Sequence, residues 1–205
     1  MISGKILGTD FFKRDTVEVA KNLLGKKIIR NISGNFFCAK IVETEAYLGL
    51  RDRACHSYGG NITKRNEILY RHGGTIYVYL IYGMYNLLNI VTKDVDEPEA
   101  VLIRAVEPLE NLDGMAINRF GKVYKDLSSY QKKNLTNGPG KLSMALDIDR
   151  SLNGKVLSPD YLYIEAGEDV KNIVAAKRIG IDYAGEDAHL PLRFYLGDSP
   201  QVSVK

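Results

Sequence analysis

The stretch Ile41-Val-Glu-Thr-Glu-Ala-Tyr-Leu-Gly49 constrains this chain more than any other. Its residue types favour a strand, and the side chains of a strand alternate between two faces. Glu43, Glu45 and Tyr47 then share one face, while Val42, Thr44 and Ala46 share the other. A buried carboxylate is costly unless it is paired or used. Two of them beside a phenol, running into a break at Leu48-Gly49 with His56 close behind, read as a site built at the end of a strand.

Around this segment the chain reads as a mixed domain. Asp15 caps a helix, with Glu18 three residues on and Val17, Ala20, Leu23 and Leu24 at helical spacing. Lys27 to Arg30 and Phe36 to Tyr47 are strands joined by a turn at Asn31-Ile-Ser-Gly34, and Thr63 to Tyr70 is a short helix. Thr75 to Tyr82 and Tyr85 to Thr92 form a hairpin with Tyr82-Gly83-Met84 near its tip. Ala100 to Val106 is a strand, Pro108 opens a helix toward Phe120, and residues 121 to 140 are loop. Lys141 to Leu146 is a short helix, followed by strands at Tyr161 to Ala166, Lys177 to Asp182 and Leu192 to Leu196. Strands outnumber long helices and do not alternate regularly with them. That favours an α+β fold with a mostly antiparallel sheet over a doubly wound one.

A length of 205 residues with 45% hydrophobic content suits one domain over residues 1–205 with a substantial core. The formal net charge of +3 is compatible with a polyanion partner without establishing one. Cys38 and Cys55 match no zinc spacing and no disulfide framework, so a reduced, cytoplasmic setting is expected. No apolar run is long enough for a membrane span, and Met1-Ile-Ser-Gly-Lys5 lacks a signal-peptide core.

Each candidate side chain has an ordinary role as well as a chemical one. Glu45 can orient and deprotonate a water, or it can be a structural carboxylate paired with Arg104, the one charge inside Val101-Leu-Ile-Arg-Ala-Val106. Glu43 is the rival, and the pattern does not choose between them. His56 on pattern alone is an ordinary loop histidine, and its spacing to His72 and His189 predicts no metal site. Tyr77 and Tyr79 share a strand face, where tyrosine pairs more often cover a sheet than stack a base. Tyr82 differs, because an aromatic at a hairpin tip gains little burial and reads as a wedge or a partner contact. Asn89, amid Leu87, Leu88, Ile90 and Val91, needs partners for its amide. Thr136-Asn-Gly-Pro-Gly-Lys-Leu142 has the look of an anion cradle, as does any glycine-rich turn before a helix.

In sequence order, Val42 to Gly49, His56, Arg65-Asn66, Tyr77 to Met84 with Asn89, Leu102-Ile-Arg-Ala105 with Glu107-Pro108, and Asn137 to Leu142 make a set that resembles the alkyladenine DNA glycosylase family, the mammalian-type 3-methyladenine DNA glycosylases. Pro191-Leu-Arg-Phe-Tyr195 and Ser199-Pro200 extend the resemblance over nearly the whole chain. It implies one domain around a curved, mainly antiparallel sheet with flanking helices and a protruding hairpin, similar to the C-terminal domain of methionyl-tRNA formyltransferase. It implies a monofunctional enzyme of base excision repair that hydrolyses the N-glycosidic bond of alkylated and deaminated purines in double-stranded DNA. No metal or cofactor is implied, a monomer is expected, and a bacterial member would lie near the nucleoid. The resemblance puts the general base on Glu45 with Arg104 as its partner. It puts the flipped base against Tyr47, His56 and Tyr79, with Asn89 screening purines that carry a 2-amino group. Tyr82 becomes the intercalating side chain, with Arg65, Asn66, Met84 and Lys141 expected at the DNA. The chain departs at Thr63-Lys-Arg-Asn66, where many relatives have Thr-Pro-Arg-Asn, and in the loop Ile68-Leu-Tyr-Arg-His-Gly73. These departures bear on DNA-backbone contact.

Two other classes suit some of the same residues. A non-catalytic nucleic-acid module is disfavoured by the complete set of acid, arginine and aromatics, and a carbohydrate hydrolase by the tyrosine at the hairpin tip.

Overall fold

The computed structural model describes residues 4–205. Met1–Ser3, part of the segment read above for a signal peptide, lie outside the described residues. The strands are β1 (Lys27–Ile32), β2 (Asn35–Tyr47), β3 (Ile76–Ile81), β4 (Tyr85–Thr92), β5 (Glu99–Glu110), β6 (Leu162–Glu165), β7 (Ile173–Ala176) and β8 (Arg193–Leu196). They build one eight-stranded, curled antiparallel sheet in the order β3-β4-β5-β2-β1-β6, with β8 on β2 and β7 on β8. The α-helices are α1 (Thr9–Phe12), α2 (Thr16–Leu23), α3 (Leu112–Phe120), α4 (Ser129–Lys133) and α5 (Pro139–Ala145). Helices α2, α3 and α5 cover one face of the sheet, where Val19, Leu23, Ile41, Ile103, Leu142 and Phe194 make the core. The α+β expectation holds.

The long strand β2 is the spine. Its first half pairs with β1, its end with β8, and its other edge with β5. The pairing with β5 steps over Val42, where Ile41 faces Val106 and Glu43 faces Ala105. This bulge has a consequence, because one extra residue exchanges the two faces of a strand. Phe37, Ala39 and Ile41 point into the core before it, and Ala46 does so after it. Without the bulge, Glu43 and Glu45 would follow Ile41 into the apolar layer beneath the helices. With it, both acids and Tyr47 turn to the opposite side.

Several expectations need correction. Pro108 does not open a helix; it lies inside β5, at the register shift opposite Ala39. A proline is tolerated there because the ladder is already interrupted. The helix begins four residues later at Leu112, where the Asn111 side chain accepts from the Gly114 amide at 3.1 Å. Residues 121–140 are not all loop, since Ser128 and Gln131 form a reciprocal capping box that starts α4. Residues 177–182 are not a strand. The pairing ends at Ala176, and the next five residues run unpaired into a 3-10 segment at Asp182–His189. The helix read over Thr63 to Tyr70 is reduced to a 3-10 turn at Glu67–Tyr70.

The hairpin of β3 and β4 turns as expected. Tyr82 and Gly83 have φ of 53° and 70°, the left-handed values that a mirror-image hairpin turn demands of its central residues. Glycine or asparagine would take Tyr82's place at lower cost. The tip therefore holds an aromatic ring, 82% exposed, at a backbone position that disfavours one.

Candidate active site

A cavity of about 910 Å3 opens on the sheet face that carries Glu43, Glu45 and Tyr47. That volume suits a nucleobase with part of its sugar. Tyr47 from β2, Tyr79 from β3, Asn89 from β4 and Arg104 from β5 line it, joined by His56 from the loop after β2. Tyr82, Arg65 and Lys141 line it too, so the fold gathers most of the expected residues around one hollow.

Glu45 is fully buried and does not itself line the cavity; it lies behind Tyr47, Arg104 and Ile179, which do. Its Oε1 accepts from the Ile179 amide at 2.8 Å and sits 3.2 Å from Arg104 Nη1. Its Oε2 accepts from the Tyr47 hydroxyl at 2.9 Å. Burial pushes the Glu45 carboxyl above its ordinary value and nearby Glu43 adds to the rise, while Arg104, the Ile179 amide and the Tyr47 hydroxyl oppose it. Glu43 has a different environment. Arg104 Nε, Arg193 Nη1 and both the amide and hydroxyl of Ser203 reach it within 3.3 Å. Its lone pairs are spent on protein donors that tie β2, β5, β8 and the C-terminal segment together. Glu45 has one oxygen held only by a side chain that also faces the cavity.

The aromatic wall is tightly arranged. The His56 and Tyr79 ring centroids are 4.5 Å apart with an interplanar angle of 71°, and Tyr77 and Tyr79 are 5.4 Å apart. His56 Nδ1 lies 2.8 Å from the Tyr77 hydroxyl, and Arg65 Nη2 lies 3.2 Å from His56 Nε2. An arginine can only donate, so Nε2 accepts, Nδ1 carries the hydrogen and the ring is neutral. Burial and the Arg65 charge agree with this assignment, depressing the His56 pKa to about 4. Burial raises Tyr77 to about 12 and carries Tyr79 further, so both stay protonated at neutral pH. The rings of the wall thus carry no formal charge, although Arg65 lies 5.4 Å from the centre of Tyr79, and a free ring face attracts a cation by roughly 0.5–2 kcal/mol per contact.

The other expected residues divide. Asn89 is buried at the cavity wall, where its amide donates to the Tyr77 and Leu87 carbonyls at 3.2 and 3.3 Å. Met84 is exposed beside Tyr82 but does not line the main cavity. Asn66, expected at the DNA, is turned inward. Its amide donates to the His56 and Asn61 carbonyls, and its oxygen accepts from Thr63, so it shapes the loop that carries His56. Lys141 donates to the side chains of Asn134 and Asn137 at 2.7 and 2.8 Å.

Sequence reasoning did not single out Arg119, Ile179 or Tyr183, which also line the cavity. Arg119 donates to the Asn134 carbonyl at 3.1 Å, and among the described residues neither it nor Lys141 has a carboxylate partner. Two half-buried cations without an acid make a place for an anion. Burial and Arg119 together lower the Lys141 pKa. The one sequence signal for this pair is the excess of bases from Arg119 to Lys141, where Arg119, Lys122, Lys125, Lys132, Lys133 and Lys141 stand against Asp126. Ile179 acts through its amide, which no side-chain pattern reveals.

Among the described residues, no group of three or more His, Cys, Asp or Glu is placed to hold a metal ion, and no helix is long and apolar enough to cross a membrane. The chain matches the model of the family described as methylpurine-DNA glycosylase over residues 10–200. A protein of Clostridium novyi, provisionally named a 3-methyladenine DNA glycosylase, is 53% identical over 201 residues, covering 98% of this chain and all of its own length. A protein of Desulfitobacterium hafniense with the same provisional name is 52% identical over 202 residues, covering 98% of this chain and 100% of its own. One of Clostridioides difficile is 48% identical over 198 residues, covering 91% of this chain and 98% of its own. With these matches spanning the strand of acids, the aromatic wall and the hairpin alike, the chain belongs to the methylpurine-DNA glycosylase family, the hydrolytic enzymes that cut damaged bases from DNA.

Proposed function

We propose that the protein rotates a damaged purine out of duplex DNA into the aromatic cavity and hydrolyses its N-glycosidic bond with a water activated by Glu45. The observation that carries this reading is the setting of Glu45: a buried carboxylate fixed through one oxygen by Arg104 and the Ile179 amide, with its other oxygen held only by Tyr47 at the cavity wall. Water takes its place at that second oxygen when the incoming base shifts Tyr47. As the bond breaks, Glu45 receives the water proton, and its charge stabilises the oxocarbenium-like sugar.

Alkylation at a ring nitrogen makes the purine both a cation and a good leaving group. One carboxylate then suffices where glycosidases usually need two. The neutral rings of Tyr47, Tyr79 and His56 bind such a base, 3-methyladenine or 7-methylguanine, more strongly than an undamaged one. Hypoxanthine enters the same cavity as a neutral substrate. Asn89, held by two backbone carbonyls, disfavours a purine 2-amino group; the positive charge of 7-methylguanine offsets that cost, while undamaged guanine has no charge to offset it. Tyr82 fills the gap in the stack, and Arg65, Met84 and the Arg119–Lys141 pair contact the strand around it. One copy of the chain supplies all of these groups, so it acts as a monomer, and its setting is the cytoplasm, at the nucleoid in a bacterium.

Glu45→Gln tests the reading. Single-turnover excision from duplexes carrying 7-methylguanine or hypoxanthine should fall at least ~10²-fold, while affinity for those duplexes persists. Retained cleavage would reject Glu45 as the base.

A further inference from the structure

A buried ion pair lies directly behind the cavity wall. Arg178 Nη1 and Nη2 hold Asp52 Oδ2 and Oδ1 at 2.5 and 2.8 Å, with side-chain exposures of 0% and 2%. The partners are 126 residues apart in the chain. We propose that Arg178, locked by Asp52, is a positioning residue for hydrolysis, which sets the direction and protonation of Glu45 by fixing the backbone of residues 177–181. The inference rests on the reading of Glu45 as the base.

Three parts of the active site meet at this pair. Arg178 Nη1 also donates to the Ala46 carbonyl at 3.0 Å, and the guanidinium carbon lies 4.8 Å from the centre of the Tyr47 ring. Tyr47 lines the cavity and Arg178 does not, so the cation backs the ring from the protein side. Asp52 accepts from the Leu48 and Ala54 amides at 3.0 Å, which anchors the loop that carries His56. The next residue after Arg178 is Ile179, whose amide holds Glu45 Oε1.

That amide has no strand to hold it. β7 ends at Ala176, and residues 177–181 join no strand among the described residues. Besides Arg178, the segment is tied by Arg193 Nε to the Lys177 carbonyl at 2.8 Å and by Lys177 to His189 at 2.9 Å. Those two ties stop at Lys177, and the next one lies past Ile179, where the Ile181 carbonyl accepts from the Ala184 amide at 2.9 Å, so Arg178 is the side chain between them. A buried pair is by itself weak evidence of stabilisation, because an apolar replacement often serves as well. A planar fork satisfied on both prongs fixes a direction that an apolar side chain cannot. Misplacing a catalytic group by an ångström can cost 10²-fold in rate.

The charged and titratable groups facing Glu45 are Glu43 and Tyr47 from β2, Tyr79 from β3, Arg104 from β5 and Arg178 from the unpaired segment. Loosening Arg178 frees the Ile179 amide from Glu45 Oε1. Losing that hydrogen bond favours the protonated acid, so Glu45 should titrate at higher pH.

Two variants test this: Arg178→Lys keeps the charge and loses the fork, and Asp52→Asn keeps the shape and loses the lock. For each, the 13C carboxyl signal of Glu45 is followed against pH, with single-turnover excision and duplex affinity measured alongside a thermal melt. The expected result is an upward shift of the Glu45 titration and an excision rate at least ~10-fold lower at neutral pH, with duplex affinity unchanged. Addition of guanidinium ion to Arg178→Ala should restore part of the rate. A Glu45 titration that stays put in both substituted proteins overturns the inference, as does a rate loss that only follows the unfolded fraction. The titration does not need turnover. A wild-type protein that excises nothing would count against the reading of Glu45 as base, while the titration still decides the role of Arg178.

Discussion

Replacing Arg104 with methionine removes the one cation that touches both buried acids among the described residues. The guanidinium is 3.2 Å from Glu45 and 3.3 Å from Glu43, and its side chain is 8% exposed. At an effective dielectric constant of about 20, a unit pair at 3.2 Å is worth about 5 kcal/mol. The Ile179 amide and the Tyr47 hydroxyl still donate to Glu45, so the loss of Arg104 raises its pKa by only part of that attraction. Glu43 keeps Arg193 and Ser203, so it should stay ionised and structural. A general base works only when ionised, and each unit of rise costs tenfold in rate below the new pKa. Single-turnover excision of hypoxanthine by Arg104→Met, measured from pH 5.5 to 10, should therefore lose about 10²-fold at the acidic end and recover toward alkaline pH. Stability provides a second check. A carboxyl whose folded pKa lies above its ordinary 4.5 holds its proton more tightly when folded. It supports folding most below 4.5, and that support fades as pH rises through the folded value. In Arg104→Met the fading should extend to higher pH than in the wild type. A pH–rate profile lowered by one constant factor, with its acidic limb unmoved, would refute the electrostatic account.

Tyr82→Ser should weaken binding to a lesion-bearing duplex and leave excision from single-stranded DNA nearly intact, because only the duplex needs its gap filled. Equal losses on both substrates, read by gel, would count against the wedge. Lys141→Ala should reduce the slope of log affinity against log salt by about 1, with the ratio of damaged to undamaged binding preserved; a slope identical to wild type would mean that this half-buried amine meets no phosphate.

The parts of the fold that could be read from the sequence were those set by neighbours along the chain. The alternation of Glu43, Glu45 and Tyr47, the cap at Asp15 and the turn at Tyr82-Gly83-Met84 need no knowledge of what packs against them. The bulge at Val42 escaped notice because the pattern past Ile41 alternates without a visible break, and only pairing with β5 tells an added residue from a continued strand. The same blindness turned Pro108 into a helix start, since a proline inside a strand is acceptable only where the partner has already stepped out of register. Residues 177–182 look like a strand by composition. Their ties are made instead to Asp52, 126 residues from Arg178, to Arg193 and to the turn that follows, which no short window can contain. Glu43 and Glu45 could not be told apart by type or spacing for a related reason. They differ in who donates to them: Arg193 and Ser203, late in the chain, saturate the first and leave the second. Local chemistry thus announces where a site can be built. Which of its groups remain free to react is decided by partners that arrive from the far end of the chain, and here those partners are Ser203, Arg193 and the unpaired backbone around Ile179.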